Sequence, residues 1–145
     1  MVDRLRQESR PLISLVATVA ARLVAHVAFS PVRVGNGVAG GSEAPLGPEL
    51  MALGPAAVRQ DYQGQLIGTM LCTAGIEACG KAGARVLFVL GHTWFYRRLG
   101  FQAAVPQGFT YRDMTGPAFM LLPLAAGEPA VAPGPVSYHP AFDDA

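Results

Sequence analysis

A chain of 145 residues with net charge +1, 14% charged and 51% apolar residues is bounded as one domain over 1–145, burying roughly 68–70% of its unfolded surface. The near-neutral balance excludes the electrostatic footprint of a nucleic-acid binder, and Lys81 is the only lysine. Cys72 and Cys79 stand seven apart in a helical pattern, about two turns or ~10 Å along one face, too far for a disulfide; without metal-ligand spacing they read as small buried apolar residues, no metal is expected, and a reducing cytoplasm fits.

Val2 to Glu8 reads as the end of a helix closed by Pro11, and Met1 to Arg10 has no signal-peptide layout. Leu12 to Phe29, ionisable only at Arg22 and His26, touches the lower length limit of a membrane span. Arg22 would then lie near mid-bilayer at a cost of about 2.5–3.5 kcal/mol. A pair of strands, Leu12 to Ala17 and Leu23 to Val32, explains the same residues, although the turn in "TVAAR" lacks Gly, Asn or Asp. Val34 to Pro48 is a Gly/Pro-rich loop. Leu50 to Val58 is a short buried strand, and Ile67 to Ala82 a helix, with Ile67, Met70, Leu71, Ala74 and Ala78 at three- and four-residue steps and Gly83 as its stop. "RVLFVL", Arg85 to Leu90, is the run expected of a strand covered on both faces. Thr93 to Leu99 is a short helix, capped by Thr93 and ended by Gly100, and Ala118 to Leu124 is a last strand. Strand, Gly-spaced turn, helix and strand make a central βαβ unit behind an antiparallel pair. The class is α/β (α+β), with a mixed, mostly antiparallel sheet.

The turn "DYQGQLIG", Asp61 to Gly68, sits where a helix begins. A helix start leaves backbone N–H groups unpaired and carries partial positive charge, so Gly64 and Gly68 there would let an anion such as a pyrophosphate approach. The spacing is neither a Walker loop nor a dinucleotide fingerprint, and a structural turn with no ligand explains it as well. His26 alternates with Val24 and Ala28 and reads as a satisfied histidine among apolar neighbours. Glu49 precedes the Leu50 strand, and no carboxylate stands out as a general base.

"LGPAAVRQDYQGQLIG" (Leu53 to Gly68) resembles the acetyl-CoA-binding core of the GNAT superfamily of N-acetyltransferases. "GARVLFVLGHTWFYRRLGF" (Gly83 to Phe101) resembles its next strand and the short helix ending Tyr-x-x-x-Gly-Phe. "YHPAF", "GPAFM" and "HVAFSPV" are similar to segments of one small bacterial subfamily. Three departures stand out: Leu66 where the pattern has its first Gly, Gln60 where Pro is common, and no counterpart of the usual first strand and first helix. The resemblance thus implies an N-terminally truncated GNAT fold. A φ > 0 at Leu66 would cost roughly 1–2 kcal/mol.

By position, the resemblance implies that amides around Ala57 and Val58 hold the pantetheine arm and acetyl carbonyl. Gln63, Gly64, Gln65, Leu66 and Gly68 would line the pyrophosphate through their backbone, and His92 would contact CoA. Tyr96 would return a proton to the departing thiolate, a phenol of pKa near 10 serving a thiol of pKa near 8.5. Read without the resemblance, His92 is a capping or solvent histidine and Tyr96 a packing tyrosine. The implied function is acetyl transfer from acetyl-CoA to a small-molecule amine or a peptide N-terminus. The alternative is a degenerate GNAT-like binding module, favoured by Leu66 and the missing elements. A membrane-attached protein is the third reading. The missing strand would leave an open sheet edge near Leu12 to Val16, so a homodimer is expected.

Overall fold

A computed structural model of the protein describes residues 2–8, 12–35, 49–124, 132–140 and 142. Pro11, most of the Gly/Pro-rich loop (36–48) and Ala141 of the tail motif lie outside them.

The first strand, β1 (Ile13–Val19), alternates as its sequence does, with Ile13, Leu15 and Ala17 half-buried and Ser14, Val16 and Thr18 exposed. It pairs antiparallel with β2 (Arg22–Pro31), from Ile13↔Phe29 to Val19↔Arg22. Leu12 to Phe29 is therefore a hairpin of strands and not a membrane helix; no helix among the described residues is long and apolar enough to cross a membrane. The hairpin turn is Ala20-Ala21, with φ 50° and 66°. Positive φ at both central residues is the pattern of a type I′ turn, whose twist matches its strands. That turn prefers Asn-Gly or Asp-Gly, which explains why the sequence marks it so poorly.

Next come β3 (Arg33–Val34), β4 (Leu50–Val58), α2 (Ile67–Lys81) and β5 (Val86–Leu90), after an initial α1 (Val2–Glu8). The chain then forms α3 (Thr93–Arg98), β6 (Gln102–Ala103), β7 (Phe119–Pro123) and β8 (Val136–Ser137). The main sheet runs β1-β2-β4-β5-β7-β6, with β3 and β8 as a separate small pair. Only β4 with β5 is parallel in the main sheet; its other pairings are antiparallel. The mixed, mostly antiparallel sheet with a βαβ unit at its centre is as expected. The pairs β3–β8 and β6–β7 involve strands too short to show a period in sequence.

Two layers of core fix this sheet. Leu87 and Val89 of β5 join Val27, Phe29, Cys72 and Cys79 under α2, while Phe88 joins Phe109, Phe119 and Tyr111 on the opposite face. Leu87, Phe88 and Val89 are all buried, as the run "RVLFVL" anticipated. Both cysteines are free and buried, and burial pushes their thiols up, to about 11 at Cys72 and about 12 at Cys79. At the end of α2 the N–H of Ala84 reaches the Cys79 carbonyl at 2.9 Å and Gly83 reaches Gly80 at 3.1 Å, closing the helix in a Schellman motif.

Alanine in αL is strained at both turn positions. Replacing Ala20-Ala21 by Asn-Gly is expected to stabilise the protein by about 1–2 kcal/mol. A urea midpoint that does not rise would mean that the hairpin turn carries no such strain.

Candidate active site

The site begins where two strands part. β4 pairs with β5 from Leu50↔Val86 to Leu53↔Val89 and no further. β4 nevertheless continues to Val58 along β2. Between the pairs Phe29↔Leu53 and Val27↔Ala56, β4 spends one residue more than β2, at Gly54–Pro55, with φ 149° at Gly54. This is a bulge, and Pro55 has no N–H to offer a neighbour. Beyond it the β5 side of β4 lies open.

The N–H of Arg59 bonds the Val24 carbonyl on β2 at 2.8 Å. Successive residues of a strand turn their backbone groups to opposite sides. Ala57 therefore turns its N–H toward β2 with Arg59, and Ala56 and Val58 turn theirs toward the opening. The Gln63 side chain fits this orientation, since its Nε2 donates to the Val58 carbonyl at 3.0 Å.

A single 3-10 turn, Gln60–Tyr62, leads from β4 toward α2. Gly64 has φ 83° and Leu66 has φ 63° and ψ 10°, a left-handed residue standing as the helix N-cap. Met70 opens the helix ladder by donating to the Leu66 carbonyl at 3.0 Å. No side chain caps the helix, so the first-turn N–H groups have no intrahelical partner. Leu66 is 59% exposed, so burial does not offset the roughly 1–2 kcal/mol that a left-handed L-residue costs.

A cleft of 770 Å³ fills this opening. Of the expected site residues it is lined by Ala57, Val58, Gln63, Gly64, Leu66 and Gly68, and also by His92 and Tyr96. Gln65 is exposed and outside the lining. Ala56, which sequence reasoning passed over, lines the cleft with its N–H toward the opening; its position in the apolar-Ala-Ala-Val step gave no sign of which amides face which way.

Tyr96 is held from both ends of α3. Its N–H bonds the His92 carbonyl at 3.2 Å, and its own carbonyl accepts the Phe101 N–H at 3.1 Å. That second bond needs the chain to reverse at Gly100, φ 102°, a conformation glycine adopts without strain. The ring packs edge-on against Phe95 and Phe101, with centroids 5.0 and 5.6 Å away. Its other side lies against Gly91, where any Cβ would come within 2.8 Å of the ring. The expected cap by Thr93 is corrected here: Thr93 is the first helical residue, His92 is the N-cap, and no side chain bonds the cap. The His92 carbonyl closes that turn instead. Burial, and secondarily the nearby Cys72, push the Tyr96 phenol up to about 12.

A second cavity of 660 Å³ is also lined by Tyr96. The two cavities share Ala56, His92 and Tyr96. Tyr111, Met114, Tyr138 and Phe142 form much of its wall. Neither residue weighed as a base is in either cavity. His26 accepts or donates at Ser14 Oγ, 3.0 Å away, and burial with Arg6 beside it lowers its pKa. Glu49 lies at the opposite end of β4, its carbonyl bonded by Arg85 and Val86.

Comparison with known proteins follows the same outline. The profile of the acetyltransferase (GNAT) domain matches residues 15–103. The uncharacterized N-acetyltransferase YhbS of Escherichia coli is 30% identical over 147 residues, covering 99% of this chain and 81% of that protein. YjhQ, another uncharacterized N-acetyltransferase of Escherichia coli, is 34% identical over 96 residues, which are 66% of this chain, and the match spans only 49% of YjhQ. The crystal structure of YhbS in complex with CoA is similar with a TM-score of 0.79 and 28% identity, over 98% of this chain and 75% of that one. A GNAT family acetyltransferase from Brucella melitensis, solved with acetyl-CoA, gives a TM-score of 0.73 and 34% identity, again over 98% of this chain and 75% of that one. Both structures share the fold of this chain, and the chain belongs to the GNAT acetyltransferase family.

Proposed function

We propose that residues 1–145 form one cytoplasmic domain that transfers an acetyl group from acetyl-CoA to a primary amine, on a small molecule or a peptide N-terminus, by direct attack in a ternary complex. The meeting of β4 amides that pair with no described backbone, an uncapped helix N-terminus and Tyr96 in one cleft carries this proposal. CoA-bound structures of similar fold support it.

The cleft residues fit the co-substrate. The first-turn N–H groups of α2, with Gly64 and Gly68 beside them, suit a pyrophosphate. The N–H groups of Ala56 and Val58 suit the pantetheine amide and the acetyl carbonyl, where they would stabilise developing negative charge. Ala57 contributes to the wall, Gln63 buttresses Val58 through its carbonyl, and His92 marks the junction of the two cavities. Gln65, from its exposed place in the turn, would meet the solvent side of the diphosphate. Acetyl-CoA supplies an activated acyl carbonyl and a thiol leaving group. Holding it and the amine on either side of Tyr96 makes the encounter intramolecular, which is a large part of the rate.

The amine nitrogen bonds to the acetyl carbon, the carbon–sulfur bond breaks, and one proton passes in net from nitrogen to sulfur. Tyr96 would deliver that proton to sulfur and recover one from the nitrogen. A phenol near 12 is a weak acid toward a thiolate of pKa near 8.5, so the transfer has to be coupled to the loss of the nitrogen's proton. The raised pKa keeps the hydroxyl protonated, the form required.

We expect isothermal calorimetry to show CoA binding, and Leu66→Gly to tighten it several-fold, about 1 kcal/mol, by restoring the pattern and freeing the N-cap backbone for close approach. No heat at millimolar CoA would instead favour the binding module. Unchanged or weaker binding in the variant would mean that Leu66 is already accommodated.

On an amine that the protein acetylates, Tyr96→Phe is expected to lower kcat on the order of 10²-fold or more with an unchanged dissociation constant for acetyl-CoA. Tyr96 favours its neutral form when folded. Its share of stability is thus intact below the unfolded pKa near 10 and is lost as pH climbs toward about 12. No alkaline limb of kcat from Tyr96 is expected below pH ~10. Full activity in Tyr96→Phe would reduce Tyr96 to a packing residue.

The end strand β1 supports homodimer formation. Its sequence ISLVATV has neither charge nor proline to block edge pairing, and Val16 is 50% exposed. Light scattering should find a dimer at high concentration, and Val16→Lys should dissociate it; a clean wild-type monomer would refute edge pairing.

A further inference from the structure

The second cavity has a chemistry of its own. Its walls are the Tyr111, Tyr138 and Phe142 rings with Leu53, Pro55 and Met114. Tyr111 and Tyr138 lie 4.7 Å apart at 42°, and Phe142 meets Tyr138 edge-on at 5.1 Å. The Phe142 ring also rests against Gly54, whose added Cβ would come within 3.3 Å of it, so this wall is tied to the bulge that opens the site. The N–H of Phe142 donates to the His139 carbonyl at 3.0 Å, which folds the segment into a turn.

Among the described residues, Asp113 is the only carboxylate in the lining, and Arg112, whose guanidinium lies 5.2 Å from the Tyr111 centroid, is beside it. The described lining thus carries one formal charge of each sign. A polycation such as a polyamine or an aminoglycoside needs several anionic partners, and the described residues of this lining do not offer them. A single amine on a flat apolar body meets ring faces and edges instead.

Tyr138 lines this cavity, and its hydroxyl is buried with no hydrogen-bond partner among the described residues. Burial, then Tyr111 and Tyr96, push its phenol up, so it stays a neutral hydroxyl. A buried hydroxyl without a partner is destabilising, and a polar atom brought in by an acceptor would supply the missing bond after a small shift of the ring. Because Tyr96 also lines this cavity, a group held at Tyr138 lies on the acceptor side of the proposed reaction.

We propose that this cavity selects a primary amine carried on one aromatic or similarly bulky apolar group, packed by Tyr111, Tyr138 and Phe142 and hydrogen-bonded by the Tyr138 hydroxyl. The proposal rests on the acetyltransferase reading above, and it names the acceptor class for that reaction. Tyr138 is a positioning residue, and the proton transfers remain with Tyr96.

The test first establishes acetyl-CoA binding by calorimetry, then follows CoA thiol release with phenylethylamine, spermidine and kanamycin as acceptors. Phenylethylamine is expected to give a kcat/KM at least tenfold above the other two. Tyr138→Phe keeps the ring, so its melting temperature should equal or exceed that of the wild type, while KM for phenylethylamine rises several-fold and the acetyl-CoA dissociation constant is unchanged. Phe142→Leu should raise the same KM. Preference for spermidine or kanamycin, or no turnover of phenylethylamine by protein that binds acetyl-CoA, overturns the acceptor class and leaves the acetyltransferase reading standing. An unchanged KM in Tyr138→Phe overturns the role of its hydroxyl. Failure to bind acetyl-CoA at all brings down the acetyltransferase reading and this inference together.

Discussion

The whole site depends on β4 leaving β5 while staying with β2. One extra residue at Gly54–Pro55 makes the turn-out, and Pro55 brings no N–H to the edge that is exposed. A parallel sheet at its centre normally satisfies both edges of every strand. Here the amides of Ala56 and Val58 are left facing a cleft, and an unpaired backbone N–H is a strong donor waiting for an acceptor. Phe142 rests against Gly54 at this bulge, and the buried β5 run fixes the neighbouring strand. The opening is thus built into the covalent order of the chain and needs no moving part.

A second constraint sits at the other wall. Gly64 and Leu66 both have positive φ, and together they swing the chain from the β4 edge into the axis of α2. Only one of them is a residue that takes this conformation without cost. Strain of this size persists where surrounding structure over-determines the backbone, and here Val58, bonded by Gln63, and the α2 ladder fix the turn from either side. The Ala20-Ala21 turn carries the same kind of strain far from the cleft. Left-handed L-residues are therefore a habit of this chain and not in themselves a mark of its site.

The fold was legible where side chains repeat. The 3.6 period of Ile67 to Ala82 gave α2 to within one residue, and the apolar run at Arg85 to Leu90 gave β5, because burial on both faces selects uninterrupted large side chains. It was not legible where the backbone alone decides. Ala20-Ala21 carries no turn residue, the strands of two residues show no period, and the cap at His92 uses a carbonyl, which every residue has. For the candidate site, motif resemblance pointed to most of the cleft. The facing of Ala56 and Val58 required the register with β2, and the aromatic cavity required Tyr111, Tyr138 and Phe142 to meet across the chain.

Two cavities meeting at Ala56, His92 and Tyr96 also limit the chemistry that the site can support. On the proposed function, reactants held in the two cavities would meet at that junction, and the reacting atoms would lie there whatever the acceptor is. The junction contains a phenol kept neutral by burial and an outward-facing backbone amide, with no carboxylate among its shared residues. On the proposed function, a neutral amine that sheds its proton as it attacks is suited to such a place, because the proton it passes to Tyr96 replaces the one that Tyr96 gives to the leaving sulfur. Ordering two reactants costs entropy that the protein meets in advance by keeping Tyr96 fixed at both ends of a six-residue helix. On the proposed function, the rate would therefore come from placement across the β4–β5 opening and from donors already aimed into it, and only in small part from acid strength.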